Sequence, residues 1–361
     1  MKIGILTYHR SENYGAVLQA LALNKAVRRL GFKPVFVDYQ HPRHKELYSL
    51  FSWSKFEKFS LYQKLKYLLV FLFTYTRKLR RKSYFQRFFN QYFETDNLGS
   101  IADHYDIVIY GSDQIWRKQN IIGVDGFLDI YFGSDAISVK KKIAYAASMG
   151  VIRLGNDDYD FLKSSFSNFN AISVREDDLK ELVTKTTGIV PAHVVDPVFL
   201  LDKEEWKGIA SPLLLNEKYI LFYCLGESQE ASRAVDRLRR ETGFEVVEIN
   251  GRIITRESRS QRWNVVGPSE FLSLVMYAEI VITSSFHGLS FSLLFNKSFF
   301  VFIVESPRRI ESMLKDLGLE SRIMKDAEEV DLMEKIEWPL VNKKMENRKK
   351  MSMGYLIKEL K

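Results

Sequence analysis

Short apolar runs, each followed by a polar turn and then by helical spacing, recur along almost the whole chain. Runs of about four to eight apolar residues are typical of buried strands, and their alternation with helices predicts parallel sheets covered by helices. The predicted strands are 3–8, 34–39, 105–110, 142–150, 171–174, 194–199, 219–225, 246–249, 280–282 and 299–304. The predicted helices are 16–30, 231–242, 269–277, 308–317 and 341–360.

This alternation stops near residue 200 and starts again at Tyr219. The stretch between, 200–218, carries Pro212 and polar residues, as expected of a connection between domains. We therefore predict an α/β protein with two Rossmann-like domains that face each other across a cleft, at residues 1–203 and 204–361. Residues 252–262 are predicted to form a charged connection in the second domain. The terminal helix, 341–361, is a candidate to pack back on the first domain.

Polar residues follow several predicted strands, at the point where each strand ends. The carboxyl ends of parallel strands meet at one edge of a sheet, where open α/β sheets bind their ligands. The candidate substrate-binding residues at these ends are Asn13, Tyr14, Gly15, Ser112, Asp113, Gln114, Ser148, Ser284, Ser285 and Gly288. Simple turn chemistry is the alternative role for residues 13–15. The turn before the first helix lacks the G-x-G-x-x-G pattern, so no dinucleotide site is predicted.

His287 and Arg175 are the two candidates for catalysis, and each follows a predicted buried strand. A histidine suits proton transfer near neutral pH. An arginine holds a phosphate or a carboxylate with a planar fork of donors. The alternatives are a histidine that caps or spaces its turn and an arginine that pairs with a neighbouring acid.

The single cysteine, Cys224, excludes an internal disulfide and fits a reducing compartment such as the cytoplasm. No signal peptide is expected. The longest largely apolar stretch, Tyr67 to Tyr75, has nine residues and is too short to span a bilayer. The six histidines do not fall beside a cysteine or in H-x-x-x-H pairs, so no metal site is predicted.

The net charge of +8 is concentrated in residues 43–93, which hold twelve Lys or Arg residues and two Glu residues. The same stretch is dense in Phe, Tyr and Trp. Basic and aromatic residues mixed in this way favour a helical pair on an anionic membrane surface. Two alternatives stay open. The aromatic residues could pack on the sheet beneath solvated lysines, or the segment could bind nucleic acid, which no motif elsewhere in the chain supports.

The order and spacing of the motifs resemble those of the polysaccharide pyruvyl transferases over nearly the whole chain. The segments that carry the resemblance are Asn13-Tyr14-Gly15, Gly111-Ser112-Asp113-Gln114-Ile115-Trp116, Tyr145-Ala146-Ala147-Ser148-Met149-Gly150, Ser173-Val174-Arg175-Glu176, Asp196-Pro197 and Ser284-Ser285-Phe286-His287-Gly288. The resemblance implies an architecture similar to the GT-B glycosyltransferases. It also implies transfer of pyruvate from phosphoenolpyruvate to two hydroxyls of a sugar. The products would be a cyclic ketal and phosphate, and no further cofactor is implied.

Within this resemblance, Arg175 matches an arginine that the family uses to hold the donor. His287 matches the histidine expected to protonate the methylene carbon of the donor. This chain differs from the family pattern at one point. Better-known members have Arg-Leu-His where this chain has Ser285-Phe286-His287. A second cation for the donor would then have to come from elsewhere, and the candidates are Arg10, Arg308 and Arg309.

The implied acceptor is a lipid-linked precursor of a surface polysaccharide, which would bring the chain to the inner face of the cytoplasmic membrane. The basic aromatic segment 43–93 would then contact that membrane. Two other functions fit the same architecture, since fold does not decide function. One is a glycosyltransferase that uses a nucleotide sugar, and the other is a non-enzymatic scaffold at the membrane.

Overall fold

The computed structural model describes residues 1–96, 104–121, 124–250, 263, 265–304 and 307–361. The strands within these ranges are β1 (Ile3–Leu6), β2 (Pro34–Val37), β3 (Thr95–Asp96), β4 (Tyr105–Gly111), β5 (Gln119–Ile121), β6 (Val124–Gly126), β7 (Val139–Ala147), β8 (Ala171–Val174), β9 (Ala192–His193), β10 (Tyr219–Cys224), β11 (Glu245–Asn250), β12 (Ile280–Thr283), β13 (Ser298–Phe302) and β14 (Ile323–Met324). The helices are α1 (Tyr14–Arg29), α2 (Pro42–Leu47), α3 (Trp53–Lys58), α4 (Leu61–Tyr92), α5 (Asn156–Phe166), α6 (Asp177–Thr187), α7 (Lys203–Lys207), α8 (Gln229–Thr242), α9 (Pro268–Met276), α10 (Phe286–Leu294), α11 (Pro307–Leu317) and α12 (Trp338–Leu360).

Two separate parallel sheets organise the chain, which confirms the predicted α/β class with two Rossmann-like units. The first has seven strands in the order β3-β2-β1-β4-β7-β8-β9, and the second has five in the order β11-β10-β12-β13-β14. The strand order reverses between β1 and β4 in the first sheet and between β10 and β12 in the second. Ligands of such sheets bind at these reversals, beyond the carboxyl ends of the strands. The loops after β1, β4 and β12 therefore carry the site.

One predicted strand is wrong. Residues 194–199 do not form a strand, because β9 ends at His193 and a short 3-10 helix follows at Pro197–Leu200. The Asp196 side chain accepts a hydrogen bond from the backbone N–H of Val198, and Pro197 occupies the first turn. A capping aspartate followed by proline is a helix-start signal that outweighs the apolar run.

The predicted connection between the domains, 200–218, contains exposed positions and a part that packs into the core. Leu200, Leu201 and Trp206 are buried there, and α7 carries Trp206 into the core beside Phe291, with ring centroids 5.0 Å apart. The predicted charged connection at 252–262 lies outside the described residues. A single apolar core runs through both domains, and in it the ring of Tyr14 stacks on Phe271 at 4.6 Å.

The terminal helix α12 returns to the first sheet. Its Ser352 accepts a hydrogen bond from the backbone N–H of Val195 at 2.9 Å. Its Tyr355 donates to the carbonyl of Ala144 in β7 at 3.0 Å. The chain thus ends against the sheet on which it began, and α12 holds β7 and the turn after β9 in place behind the site.

The basic aromatic segment forms two short helices and one helix of 32 residues, α4. A capping box between Ser60 and Gln63 starts α4, and α3 packs on it through Phe56 and Tyr67. Near its carboxyl end, α4 buries Phe85 and Phe88 against the first domain. None of the described helices combines the length and apolar composition that a membrane span requires.

Candidate active site

His287 lies against Gly15 across the interface between the two domains. Ser285 caps α10 by accepting a hydrogen bond from the backbone N–H of Gly288 at 3.3 Å, which places His287 in the first turn. Gly15 lies in the first turn of α1. A Cβ atom on residue 15 would lie closer than 3.0 Å to Nδ1 of His287. The imidazole therefore occupies the space that any side chain on residue 15 would need.

Asp196 joins Arg175 to His287. Nη1 of Arg175 donates to Oδ2 of Asp196, and Nε2 of His287 lies 3.6 Å from the same oxygen. Ser112 stands beside them and accepts from Arg175 at 3.2 Å. The Arg175 and Asp196 side chains are only 2% and 0% exposed. The two residues predicted for catalysis thus contact one buried carboxylate. Arg175 pairs with an acid, as the alternative prediction had it, and also lies beside His287.

Burial alone would favour a neutral Asp196, but the charge of Arg175, followed by His287, outweighs it. The pKa of Asp196 is therefore held well below its ordinary value. The same pair acts on the arginine. Burial lowers the pKa of Arg175, but the carboxylates of Asp196 and Glu176 raise it above the ordinary value overall. Both groups stay charged, and the site has a fixed positive and a fixed negative charge.

Arg309, from the first turn of α11, lies next to Arg175. The guanidinium groups of Arg175 and Arg309 lie 5.1 Å and 5.3 Å from the centre of the Phe286 ring. Burial and then repulsion by Arg175 lower the pKa of Arg309. Two arginines held this close in a buried site repel each other, and an anion bound between them would remove that cost.

Glu176 faces both arginines. Its Oε1 lies 3.4 Å from Nε of Arg175 and 3.9 Å from Nε of Arg309. It also accepts a hydrogen bond of 2.5 Å from Ser148. Burial raises the pKa of Glu176 although both arginines and Ser148 oppose the shift.

Four buried polar atoms in this cluster have no hydrogen-bond partner among the described residues. They are Nη2 of Arg175, Oε2 of Glu176, Nε2 of His287 and Nε of Arg309. Buried polar groups are almost always paired, so a group of unpaired ones calls for an explanation. Three of the four are nitrogens on side chains that carry or can accept a positive charge, which is the donor set of an anion site.

Asp113 approaches the cluster from the end of β4. Its backbone has a φ of +67°, a conformation that aspartate tolerates better than most residues. Its charge acts on both Arg175 and Arg309. Burial, followed by the carboxylate of Asp113, raises the pKa of Tyr48 to about 12. The Tyr48 phenol therefore remains protonated and is available as a hydrogen-bond donor at this edge of the site.

Several predicted site residues have structural roles. Asn13 caps α1 by accepting from the N–H of Ala16 at 3.2 Å. Tyr14 is buried in the domain interface, where its hydroxyl donates to the carbonyl of Val266 at 3.0 Å. Ser284 accepts from the N–H of Leu225 at 2.8 Å. The Tyr14 side chain therefore points into the interface core, away from the Arg175 cluster.

Four further predicted residues are Gln114, Gly288, Ser112 and Ser148. Gln114 lies beneath Gly150, where a Cβ would meet its side-chain amide at 2.8 Å. At Gly288, a Cβ would contact the Tyr223 ring at 3.1 Å. Ser112 and Ser148 hold Arg175 and Glu176, as described above.

Asp196 and Glu176 were not predicted as site residues. Glu176 follows the predicted strand 171–174, and Asp196 lies within the run 194–199 that was wrongly predicted to be a strand. The Asp-Pro pair and the Arg-Glu pair were the available signals. Among the three candidates for a second cation, Arg10 is paired with Asp38 in the first domain. Arg308 is 71% exposed and lies 3.5 Å from Asp178. Only Arg309 adjoins Arg175. The described residues contain no group of three or more His, Cys, Asp or Glu side chains arranged to hold a metal ion.

Several solved structures have a similar course of the chain. A UDP-N-acetylglucosamine 2-epimerase from Rickettsia bellii is 12% identical, with 98% of this chain and 97% of that chain covered and a TM-score of 0.49. A UDP-GlcNAc 2-epimerase from Neisseria meningitidis is 10% identical, with 100% and 99% covered and a TM-score of 0.47. The E. coli heptosyltransferase WaaC is 11% identical, with 84% and 88% covered and a TM-score of 0.36. Similarity at this level says nothing about activity.

No curated protein matches the chain significantly. The model of one family, described as polysaccharide pyruvyl transferase, matches residues 13–306. This range begins at the cap of α1, covers β2 to β13 and includes Arg175, Asp196 and His287. The chain therefore belongs to the polysaccharide pyruvyl transferase family.

Proposed function

We propose that the protein transfers pyruvate from phosphoenolpyruvate to two hydroxyls of a sugar in a surface-polysaccharide precursor. The products are a cyclic ketal and phosphate. The observation that carries the proposal is the set of unpaired buried nitrogens on Arg175, His287 and Arg309. The phosphate and the carboxylate of a small anionic ligand would pair the two guanidinium groups, and the imidazole would face the same ligand for the chemical step.

Arg175 and Arg309 would hold the donor between the two domains. Arg175 comes from the end of β8 and Arg309 from α11, so one donor molecule would bridge both sheets. One cavity that reaches these side chains is lined by Arg175, Asp196, Phe286 and Arg309 and has a volume of about 10 Å³. A cavity of that size holds about one water molecule. Entry of phosphoenolpyruvate through it therefore requires the domains to move apart.

His287 would serve the chemical step as general acid. Proton transfer from the imidazole to the methylene carbon of the donor would make the adjacent C2 electrophilic, and the first sugar hydroxyl would add there. Departure of phosphate breaks the C2–O bond, and the second hydroxyl then closes the ketal. The carboxylate of Asp196, 3.6 Å from Nε2, would stabilise the protonated imidazole by its charge.

Asp113 would act as the base that accepts a proton from the acceptor. Asp196 and Glu176 are both occupied by arginine, whereas the hydrogen bond described for the Asp113 carboxylate comes from the backbone N–H of Gln114. Two protons leave the two sugar hydroxyls. One of these protons returns to His287, which has given its own proton to the new methyl group. The other proton leaves with the phosphate.

A cavity in the first domain offers room for the acceptor sugar. It has a volume of about 230 Å³ and is lined by residues that include His9, Glu12, Tyr48, Lys82 and Phe89. Aromatic faces and polar groups together suit a sugar ring with several hydroxyls. Tyr48 lines this cavity, and the carboxylate of Asp113, the proposed base, contributes to the raised pKa of Tyr48.

The test is transfer of labelled pyruvate from phosphoenolpyruvate to a sugar acceptor, with donor binding measured separately by thermal shift. We expect His287→Ala and His287→Gln to lower turnover by about 10²–10⁴-fold while donor binding survives, because neither residue can donate the proton. Asp113→Asn should behave similarly. Arg175→Lys should mainly weaken donor binding, since a point charge replaces a planar fork.

Two results would contradict the proposal. Stabilisation by a nucleotide sugar, with none by phosphoenolpyruvate, would indicate a glycosyltransferase. Turnover close to wild type in His287→Ala would remove the general acid and leave the histidine as a packing residue against Gly15.

A further inference from the structure

The amino-terminal half of α4 exposes a continuous row of large apolar side chains. We define the α4 stripe as Leu61, Leu65, Leu68, Leu69, Leu72 and Phe73, which are between 39% and 86% exposed. Spacings of three and four residues place them on one side of the helix. Contiguous apolar surface of this kind marks an interaction site on a soluble protein.

The opposite side of this half of α4 packs against neighbouring residues of the same segment. Tyr67 packs on Phe51 at 5.1 Å and on Phe59 at 5.6 Å. Lys78 donates to the carbonyl of Leu50 at 3.0 Å. These contacts fix the rotation of the helix, so the stripe points away from the domain. No described residue covers it.

The charges of α4 favour an anionic partner. The helix contains eight Lys or Arg residues and no Asp or Glu. At 3.6 residues per turn, Lys64 lies along one edge of the stripe, where its ammonium is also 5.5 Å from the centre of the Phe56 ring, and Lys66 lies along the other edge. Lys82 continues the first edge beyond the end of the stripe. Lysine can extend its charged end away from an apolar surface on which its stem lies. An apolar strip with cations along both edges matches a helix that lies in the headgroup region of an anionic bilayer.

We propose that the α4 stripe binds the surface of an anionic lipid membrane, with α4 parallel to the bilayer plane. The leucines and Phe73 would enter the boundary between headgroups and acyl chains, and the lysines would contact lipid phosphates. The surface itself does not depend on the reaction, but its use in capturing a lipid-linked acceptor rests on the proposed function. Lys82 also lines the cavity proposed for the acceptor, so the membrane contact and that cavity share one helix.

The first test is binding of the full chain to vesicles of phosphatidylglycerol and phosphatidylcholine, with phosphatidylcholine vesicles as the comparison. Binding should require the anionic lipid and weaken as salt rises, because the Debye length falls to ~8 Å at physiological ionic strength. Trp53 on α3 is 67% exposed, and the other four tryptophans, all among the described residues, are buried or partly buried. Trp53 lies on the side of α4 away from the stripe, beside Phe51 at 4.8 Å, so its fluorescence should change little on the vesicles, and co-sedimentation measures the binding.

Matched variants separate the stripe from general surface effects. Leu72→Glu/Phe73→Glu should lower vesicle binding at least tenfold, because two apolar contacts are lost and two repelling charges are added. Leu340→Glu/Met351→Glu on α12 alters residues that are 55% and 70% exposed and should cost little more than its added charge. Lys66→Gln and Lys82→Gln should each weaken binding about fivefold at low salt. Lys343→Gln on α12 should have a smaller effect.

The proposal is wrong if wild type ignores anionic vesicles at low salt or if Leu72→Glu/Phe73→Glu binds them as well as wild type. It is also wrong if wild type is a dimer in solution that this variant converts to a monomer without any vesicle binding, because the stripe would then join two copies of the chain. Pyruvate transfer to a water-soluble sugar does not involve a membrane. That assay therefore reports a failure of the proposed function independently of the membrane result.

Discussion

Gly15 and His287 lie so close across the domain interface that the space for a Cβ on residue 15 is filled by the imidazole ring. The contact joins the first turn of α1 to the first turn of α10. Each helix follows the strand at which its sheet reverses order. The glycine is therefore needed for close approach, and its φ is not in the left-handed region.

We expect Gly15→Ala to displace His287 and to lower turnover by about 10²-fold, because a shift of about 1 Å in a catalytic group has effects of that size. The variant should also unfold more easily. Gly15→Ala/His287→Ala should recover much of that stability and none of the activity. Gly354→Ala is the control, since nothing lies within 4 Å of a Cβ there. It should be neutral or stabilise the helix by about 0.5–1 kcal/mol. Unchanged turnover in Gly15→Ala would contradict the contact.

Asp196→Asn should destabilise the fold by roughly 3–5 kcal/mol at neutral pH, because it leaves the buried guanidinium of Arg175 without its carboxylate. The pKa of Asp196 is lowered in the folded state from the ordinary value of 3.8. Its contribution to stability is therefore present above that ordinary value and is lost as the pH falls below it. The difference in unfolding free energy between wild type and Asp196→Asn should shrink between about pH 4 and pH 2 in chemical denaturation. A difference that does not change with pH would contradict the assignment.

Arg309→Gln should raise the donor concentration needed for half-maximal rate by about tenfold or more, since a charge-assisted contact to a buried anion is worth about 1.5–3 kcal/mol. Arg308 is the matched control, because it lies next in the chain on α11 and its side chain is 71% exposed. Arg308→Gln should leave donor affinity close to wild type. Equal effects of the two substitutions would indicate a general loss of positive charge and no specific role for Arg309.

Arg81 ties α4 to both domains. It donates to the carbonyl of Glu12 at 2.7 Å and to the carbonyl of Asn250 at 3.4 Å, and its side chain is 4% exposed. Arg81→Met should lower the free energy of unfolding by about 2–4 kcal/mol, because buried acceptors lose a charged donor. Arg80→Met, one residue away and exposed, should stay within about 0.5 kcal/mol of wild type. Thermal or denaturant unfolding measures both. Equal stability of the two variants would contradict a linking role for Arg81.

Local pattern was sufficient for most of the secondary structure. Apolar runs identified the longer strands of both sheets, and β8 was predicted at the residues where it occurs. The two-residue strands β3, β9 and β14 were not predicted. Helix starts were less accurate, since α1 begins at Tyr14 and α12 at Trp338, both before the predicted positions. The run at 194–199 failed because its capping aspartate was not weighed against its apolar residues. The positions of strands and helices depend mainly on residues a few places apart in the chain, and the sequence pattern describes such short separations.

For the candidate site, too, some features follow from the sequence and others only from the tertiary structure. The sequence by itself determined that Arg175 and His287 each follow a buried strand. In a parallel sheet, such positions lie at the edge formed by the carboxyl ends of the strands. Only the tertiary structure decided that Asp196 lies between them, that Arg309 and not Arg10 or Arg308 stands beside Arg175, and that Tyr14 faces the interface core. Those facts depend on how two sheets and α11 pack across a domain interface. Contacts between residues far apart in the chain are set by packing and burial, and no local periodicity encodes them.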